Sequence, residues 1–169
     1  MTKGSVCALA ALAIAITFAT AITQADQIRR SGPEKVLVDV SLKVGGEAYD
    51  AKGQGSCTHA PKASIYGLLA EMWTVRQEGE GRSVQLTLWK PSDGSASMFS
   101  LSLNGVNDRR SPSISTVKGG QVMGSGTVTL APAAKGGTFT VEAKTRMGDA
   151  VTGTIRCEAF TPAIAEGGD

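Results

Sequence analysis

A single histidine, His59, stands two residues after Cys57 in this chain of 169 residues, and Cys-x-His is the first spacing that invites metal or nucleophilic chemistry. On a strand the two side chains would point to one side. A closed zinc site needs about four ligands, however, and a cysteine held in a disulfide supplies no thiolate. His59 therefore reads as a polar loop histidine, and no metal or cofactor is expected.

The triads that pair a nucleophile with a base and an orienting group are nearly excluded with so few candidates. The nearest approach to Gly-x-Ser-x-Gly is Gly124-Ser125-Gly126, which falls inside a predicted strand with no helix after it. Glu71, Glu78, Glu80 and Glu142 offer carboxylates, yet nothing singles out the pair that glycoside hydrolysis uses. Asn104, Asn107 and Asp108 gather oxygens in one predicted loop, too few for a good calcium site. The Gly-rich segments 53–55 and 119–126 lack the Gly-Lys-Ser/Thr ending of a phosphate cradle and read as turns or bulges. The expectation is a protein that is not an enzyme.

Contact with a partner is the remaining chemistry. Trp89 shares the polar face of its predicted strand with Thr87 and Gln85, where an indole offers a surface to a sugar ring or a protein. The competing reading is that Trp89 caps the edge of the core. Trp73 shares a face with Val75 and reads as core. Arg29-Arg30 and Arg109-Arg110 are the adjacent basic pairs, and in a balanced chain they read as solvated surface. The candidate surface contacts are thus Trp89, Tyr66, His59, Arg109 and Arg110. Lys and Arg number 17 against 15 Asp and Glu, without a long block of either sign, so no nucleic-acid partner is expected.

These side chains must be positioned by strands. Val36, Val38, Val40, Leu42 and Val44 alternate with wetter residues across Lys35–Val44, and Gly45-Gly46 turns the chain into a second arm at 47–51. Thr58–Leu69, broken by Pro61 and Gly67, reads as a loop or a single helical turn. Alternation resumes at 71–76, and 77–82 reads as a turn. Ser83–Lys90 places Val84, Leu86 and Leu88 on one face, Met98–Leu103 follows, and Asn104-Gly105 is the strongest turn signal. A short strand at 113–118 and a glycine-bearing one at 121–130 precede the last hairpin. There Phe139, Val141 and Ala143 face Val151, Ile155 and Cys157. Short strands with turn signals at intervals of about 8–12 residues predict an all-β, single-domain antiparallel β-sandwich of about eight strands, with a small β-barrel as the alternative.

The N-terminus names a compartment. Lys3 precedes an apolar run from Val6 to Ala21, and Thr23-Gln24-Ala25 is the preferred small-x-small cleavage site, so residues 1–25 read as a signal peptide. The run is too short for the roughly 20 residues that span a bilayer. Residues 26–34 are then a linker, 35–160 the β domain, and 161–169 a flexible tail. Cleavage removes Cys7 and leaves no membrane anchor, and in an oxidising compartment the remaining Cys57 and Cys157 are predicted to bridge.

Val44–Tyr49 (Val-Gly-Gly-Glu-Ala-Tyr), Gly-Ser-Cys-Thr at 55–58, Gly-Ser-Gly-Thr-Val-Thr at 124–129, Gly-Thr-Phe-Thr-Val-Glu at 137–142 and a last strand closing on Cys157 form a layout. It resembles the mycobacterial lipoprotein-antigen family, the LpqH-like exported β-sandwiches with one disulfide between early and late strands. The chain departs from that family in having no cysteine placed for lipidation, so anchoring is not carried over. The resemblance implies a non-catalytic surface or periplasmic protein. The expected function is a periplasmic or secreted binding module, a monomer with a protein or envelope glycan partner. The alternative is a small exported enzyme inhibitor of the lysozyme-inhibitor kind, and after it a hydrolase.

Overall fold

Alternation of valine and leucine with wetter residues makes Val36–Val44 a strand, β1, whose buried positions are every second residue. The computed structural model describes residues 33–79, 81–106 and 111–165. At the end of β1, Gly45 and Gly46 adopt φ of 59° and 92°, the paired left-handed geometry of a two-residue hairpin, and the chain returns as β2, Glu47–Ile65. Then follow β3 (Leu68–Gly79), β4 (Arg82–Pro91), β5 (Met98–Asn104) and β6 (Ser113–Ser115). The remainder are β7 (Ser125–Pro132), β8 (Gly137–Lys144), β9 (Ala150–Cys157) and β10 (Thr161–Pro162).

The all-β antiparallel expectation holds. The strands run in one sheet in the order β6-β5-β4-β3-β2-β1-β9-β8-β7, with β10 added in parallel to β2. Its two ends are drawn together where Ser115 and Met123 exchange backbone hydrogen bonds of 2.8 and 2.9 Å, so the sheet is a nearly closed barrel. Of the two closures open in the sequence, this is the barrel alternative. The main core is a cluster of inward side chains, with Tyr49, Leu86, Phe99, Phe139 and Ile155 at 1 % exposure or less. Closure needs strands that coil tightly, and glycines at close approaches allow it. A Cβ on Gly153 would collide with the Ser41 carbonyl oxygen of the neighbouring strand.

Three segments differ from their sequence reading. Thr58–Ile65 is not a loop or a helical turn but the second half of β2, because Pro61 falls at a register shift between Ala60 and Ala63, where a missing N–H costs no ladder bond. The 77–82 turn is shorter than expected, since β3 stays paired with β4 as far as Gly79 opposite Arg82. The tail begins in structure: Thr161 and Pro162 pair with Thr58 and His59, and the Ala163 N–H donates to the His59 carbonyl at 2.9 Å. The signal-peptide and linker readings over residues 1–32 lie outside the described residues. No helix among the described residues is long and apolar enough to cross a membrane.

Cys57 and Cys157 are bridged, with Cα atoms 6.2 Å apart. Their strands both flank β1, and the bridge closes over its N-terminal end, so it joins two strands of one sheet and not two layers.

At the other end of the barrel the fully buried ring of Tyr49 places its hydroxyl 3.0 Å from the Ser83 carbonyl and 2.9 Å from that of Asn104, where it donates to one or the other. Burial raises the Tyr49 pKa, while the charge of Arg82 and the Ser83 hydrogen bond oppose the shift in part. An unfolded tyrosine ionises near 10.0, whereas the folded one stays protonated further. The stability this contributes is therefore complete below that pH and is lost as pH rises through the folded value. Urea melts across the alkaline range should show this loss in the native protein. Tyr49→Phe should lack it and cost about 1 kcal/mol at neutral pH.

Candidate functional site

His59, Trp73 and Leu88 stand opposite one another on β2, β3 and β4, all on the inward face, and Glu71 and Lys90 occupy the next inward row toward the open end. Strand periodicity thus carries charge into the barrel only where its mouth begins. The His59 imidazole stacks on the Trp73 indole with centroids 4.7 Å apart and planes 6° from parallel. Its Nε2 lies 3.5 Å from Glu71 Oε2 and is shut off from solvent without a hydrogen bond. This pair has the composition of a proton-transfer dyad, and with Trp73, on which the ring lies flat, it forms one wall of the site.

That wall bounds a cleft of about 520 Å³. Trp73, Leu88, Val128, Leu130 and Phe160 give it an apolar interior, and His59, Glu71, Lys90 and Lys135 give it a polar rim. Neither Lys90 nor Lys135 has a carboxylate within 4.0 Å among the described residues, because Glu71, which stands opposite Lys90, turns to His59. Phe160 reaches the cleft from the segment after β9, held edge-on to Phe139 at 5.9 Å. An apolar interior beneath ammonium groups that no described carboxylate pairs suits a ligand with an apolar portion and an anionic one.

No family model, no curated protein and no solved structure matches this chain. The chemistry of the cleft therefore rests on its own residues.

The structure brings His59 into the cleft and leaves Trp89 and Tyr66 outside its lining. Trp89 faces outward, half-buried, over a second small cluster of Ile65, Met98 and Val117. It covers apolar surface there and does not reach the cleft lining. Tyr66 sits at the tip of the β2–β3 hairpin, 67 % exposed and with φ of 47°, a left-handed conformation rare for a bulky residue. Its ring lies over Gly119 and Gly120, where any side chain would crowd it. Arg109, Arg110, Asn107 and Asp108 lie outside the described residues, while Asn104 donates its side-chain amide to Ser83 Oγ at 2.9 Å. Among the described residues no three of His, Cys, Asp and Glu gather as a metal site.

Trp73, Glu71 and Lys90 were not singled out as site residues by sequence reasoning. A signal was present for two of them: Glu71 is in phase with Trp73 and Val75, and Lys90 with Val84, Leu86 and Leu88. A charge in phase with a core face, at the end of that face, marks a mouth.

Proposed function

We propose that the protein is an exported, non-catalytic binding module, acting in the periplasm or outside the cell on a protein or envelope glycan partner, and that it binds through the cleft at the barrel mouth. The observation that carries this reading is the cleft itself, apolar within and rimmed by two lysines that no described carboxylate neutralises. Export is supported by the N-terminal basic and apolar pattern and by the Cys57–Cys157 bridge, which persists in oxidising compartments. The resemblance to the LpqH-like proteins points the same way, through its turn and strand motifs.

The test uses 1-anilinonaphthalene-8-sulfonate, which joins an apolar ring system to one negative charge. Saturable binding of one dye per chain is expected, with affinity falling at least about tenfold in the K90E/K135E variant, equivalent to about 1.4 kcal/mol. Both lysines are exposed, so the variant should keep its fold. Dye binding that ignores both reversals would remove the cleft as the site.

A further inference from the structure

β7 ends the sheet, with β8 as its ladder partner on one side. On the other side the barrel seam is joined just before β7 begins, at Met123, and β5 is served there by Thr116, whose N–H donates to the Phe99 carbonyl at 2.9 Å. β7 lies near β5 across the seam with no ladder between them, and its edge borders the cleft. Val128, Thr129 and Leu130 all line it, although Thr129 points to the opposite face of the strand from its neighbours. The backbone of all three consecutive residues therefore stands beside the cleft, on the strand whose one ladder is with β8.

The direction of the free backbone groups follows from the ladder. In an antiparallel pair, residues alternate between bonding their partner and pointing away from it. Ala133 N–H donates to the Gly136 carbonyl at 2.8 Å, and Pro132, next to it, has no N–H to give. Pro132, Leu130 and Val128 are then the residues whose backbone faces away from β8, while Ala131 and Thr129 bond it. The N–H groups of Leu130 and Val128 thus open on the cleft.

Edge strands are commonly guarded by charge, by proline, by a covering segment or by a bulge, because an unguarded edge pairs with another chain, and here Pro132 guards only the last position of β7. From Met123 to Ala134 there is no charged residue. We propose that this edge takes an extended polypeptide strand from a partner, which continues the barrel beyond β7. Its alternate side chains enter the apolar interior, and a carboxylate is held between Lys90 and Lys135. Peptide backbone offers N–H and C=O groups at the two-residue period this edge presents, which the hydroxyls of a glycan do not. The inference rests on the reading of the cleft as the binding site and specifies what binds there.

The probe is the acetylated hexapeptide Thr-Val-Thr-Val-Thr-Asp with a free C-terminus, compared with a neutral form ending in asparagine amide. Amide hydrogen exchange of the whole protein, followed by NMR, should slow at Val128 and Leu130 at least about tenfold when the acidic peptide is present. The neutral form should bind about tenfold more weakly. Leu130→Pro removes one free N–H and no β8 bond, whereas Leu130→Ala removes the side chain and keeps the N–H. The proline variant should bind at least about tenfold more weakly than the alanine variant. Should the proline variant fail to fold, the exchange pattern of the native protein decides alone. Dye binding in the cleft without protection at Val128 and Leu130 would overturn strand addition and leave the cleft standing. Protection at a different edge would also overturn it, and failure of both dye and peptide would overturn both readings.

Discussion

Replacing both Cys57 and Cys157 by alanine is expected to lower the stability of the domain by about 3–5 kcal/mol. The bridge joins residues 100 positions apart, and in the chain-entropy account a loop of that length removes up to about 4.7 kcal/mol of freedom from the unfolded chain. Both residues are buried, so the variant also leaves a small void where the sulfur atoms were. The measurement is a thermal melt, and a fall on the order of 10–20 °C is expected for a domain of this size. The native protein melted in reductant should move toward the variant, since the same constraint is lost. A change below about 1 kcal/mol would mean that the ladders of β2 and β9 with β1 already hold the two strands as firmly as the bridge does.

The second large effect is expected at Gly153. It lies on β9 between Leu42 of β1 and Val141 of β8, with φ of 136°. A Cβ there would meet the Ser41 carbonyl oxygen and stand 2.9 Å from Leu42 Cα, and backbone atoms cannot rotate away as a side chain can. Strain at such a φ costs about 1–3 kcal/mol and overpacking a similar amount, so Gly153→Ala should cost about 3–5 kcal/mol in a urea melt. Gly148 is the control. Its φ is 93° with open space around the Cβ position, so Gly148→Ala suffers only the backbone term, about 1–2 kcal/mol. Equal losses at the two positions would show that collision with β1 plays no part and that the curvature of the sheet does not depend on Gly153.

How much of this could be read from the residues differs by element. β1 and the β8–β9 hairpin were legible because one face of each is buried and the other wet, which strict alternation reports directly. The bridge was legible from cysteine count and the expected compartment. The second half of β2 was not, since Pro61 normally argues against a strand and only the register shift beside it removes the objection. The order of strands is likewise invisible to periodicity, and with it the neighbours of each edge. The open side of β7 and the meeting of its residues with Lys90 and Glu71 depend on that order. His59 was noticed for its spacing from Cys57, and that spacing did place both side chains inward. Its partner proved to be an indole and a carboxylate, supplied by the strand beside it.

The position of β1 between β2 and β9 has a consequence in time. A chain that emerges from its N-terminus makes β1 before the other described strands and can pair it with β2 at once, but the other side of β1 waits for β9. Until β9 arrives, β1 lacks a neighbour on one side and the bridge has one cysteine in place, so the native barrel cannot close early. Assembly should accordingly be slow and governed by the release of the last segment, with the nascent intermediate dependent on whatever shields a bare strand from aggregation.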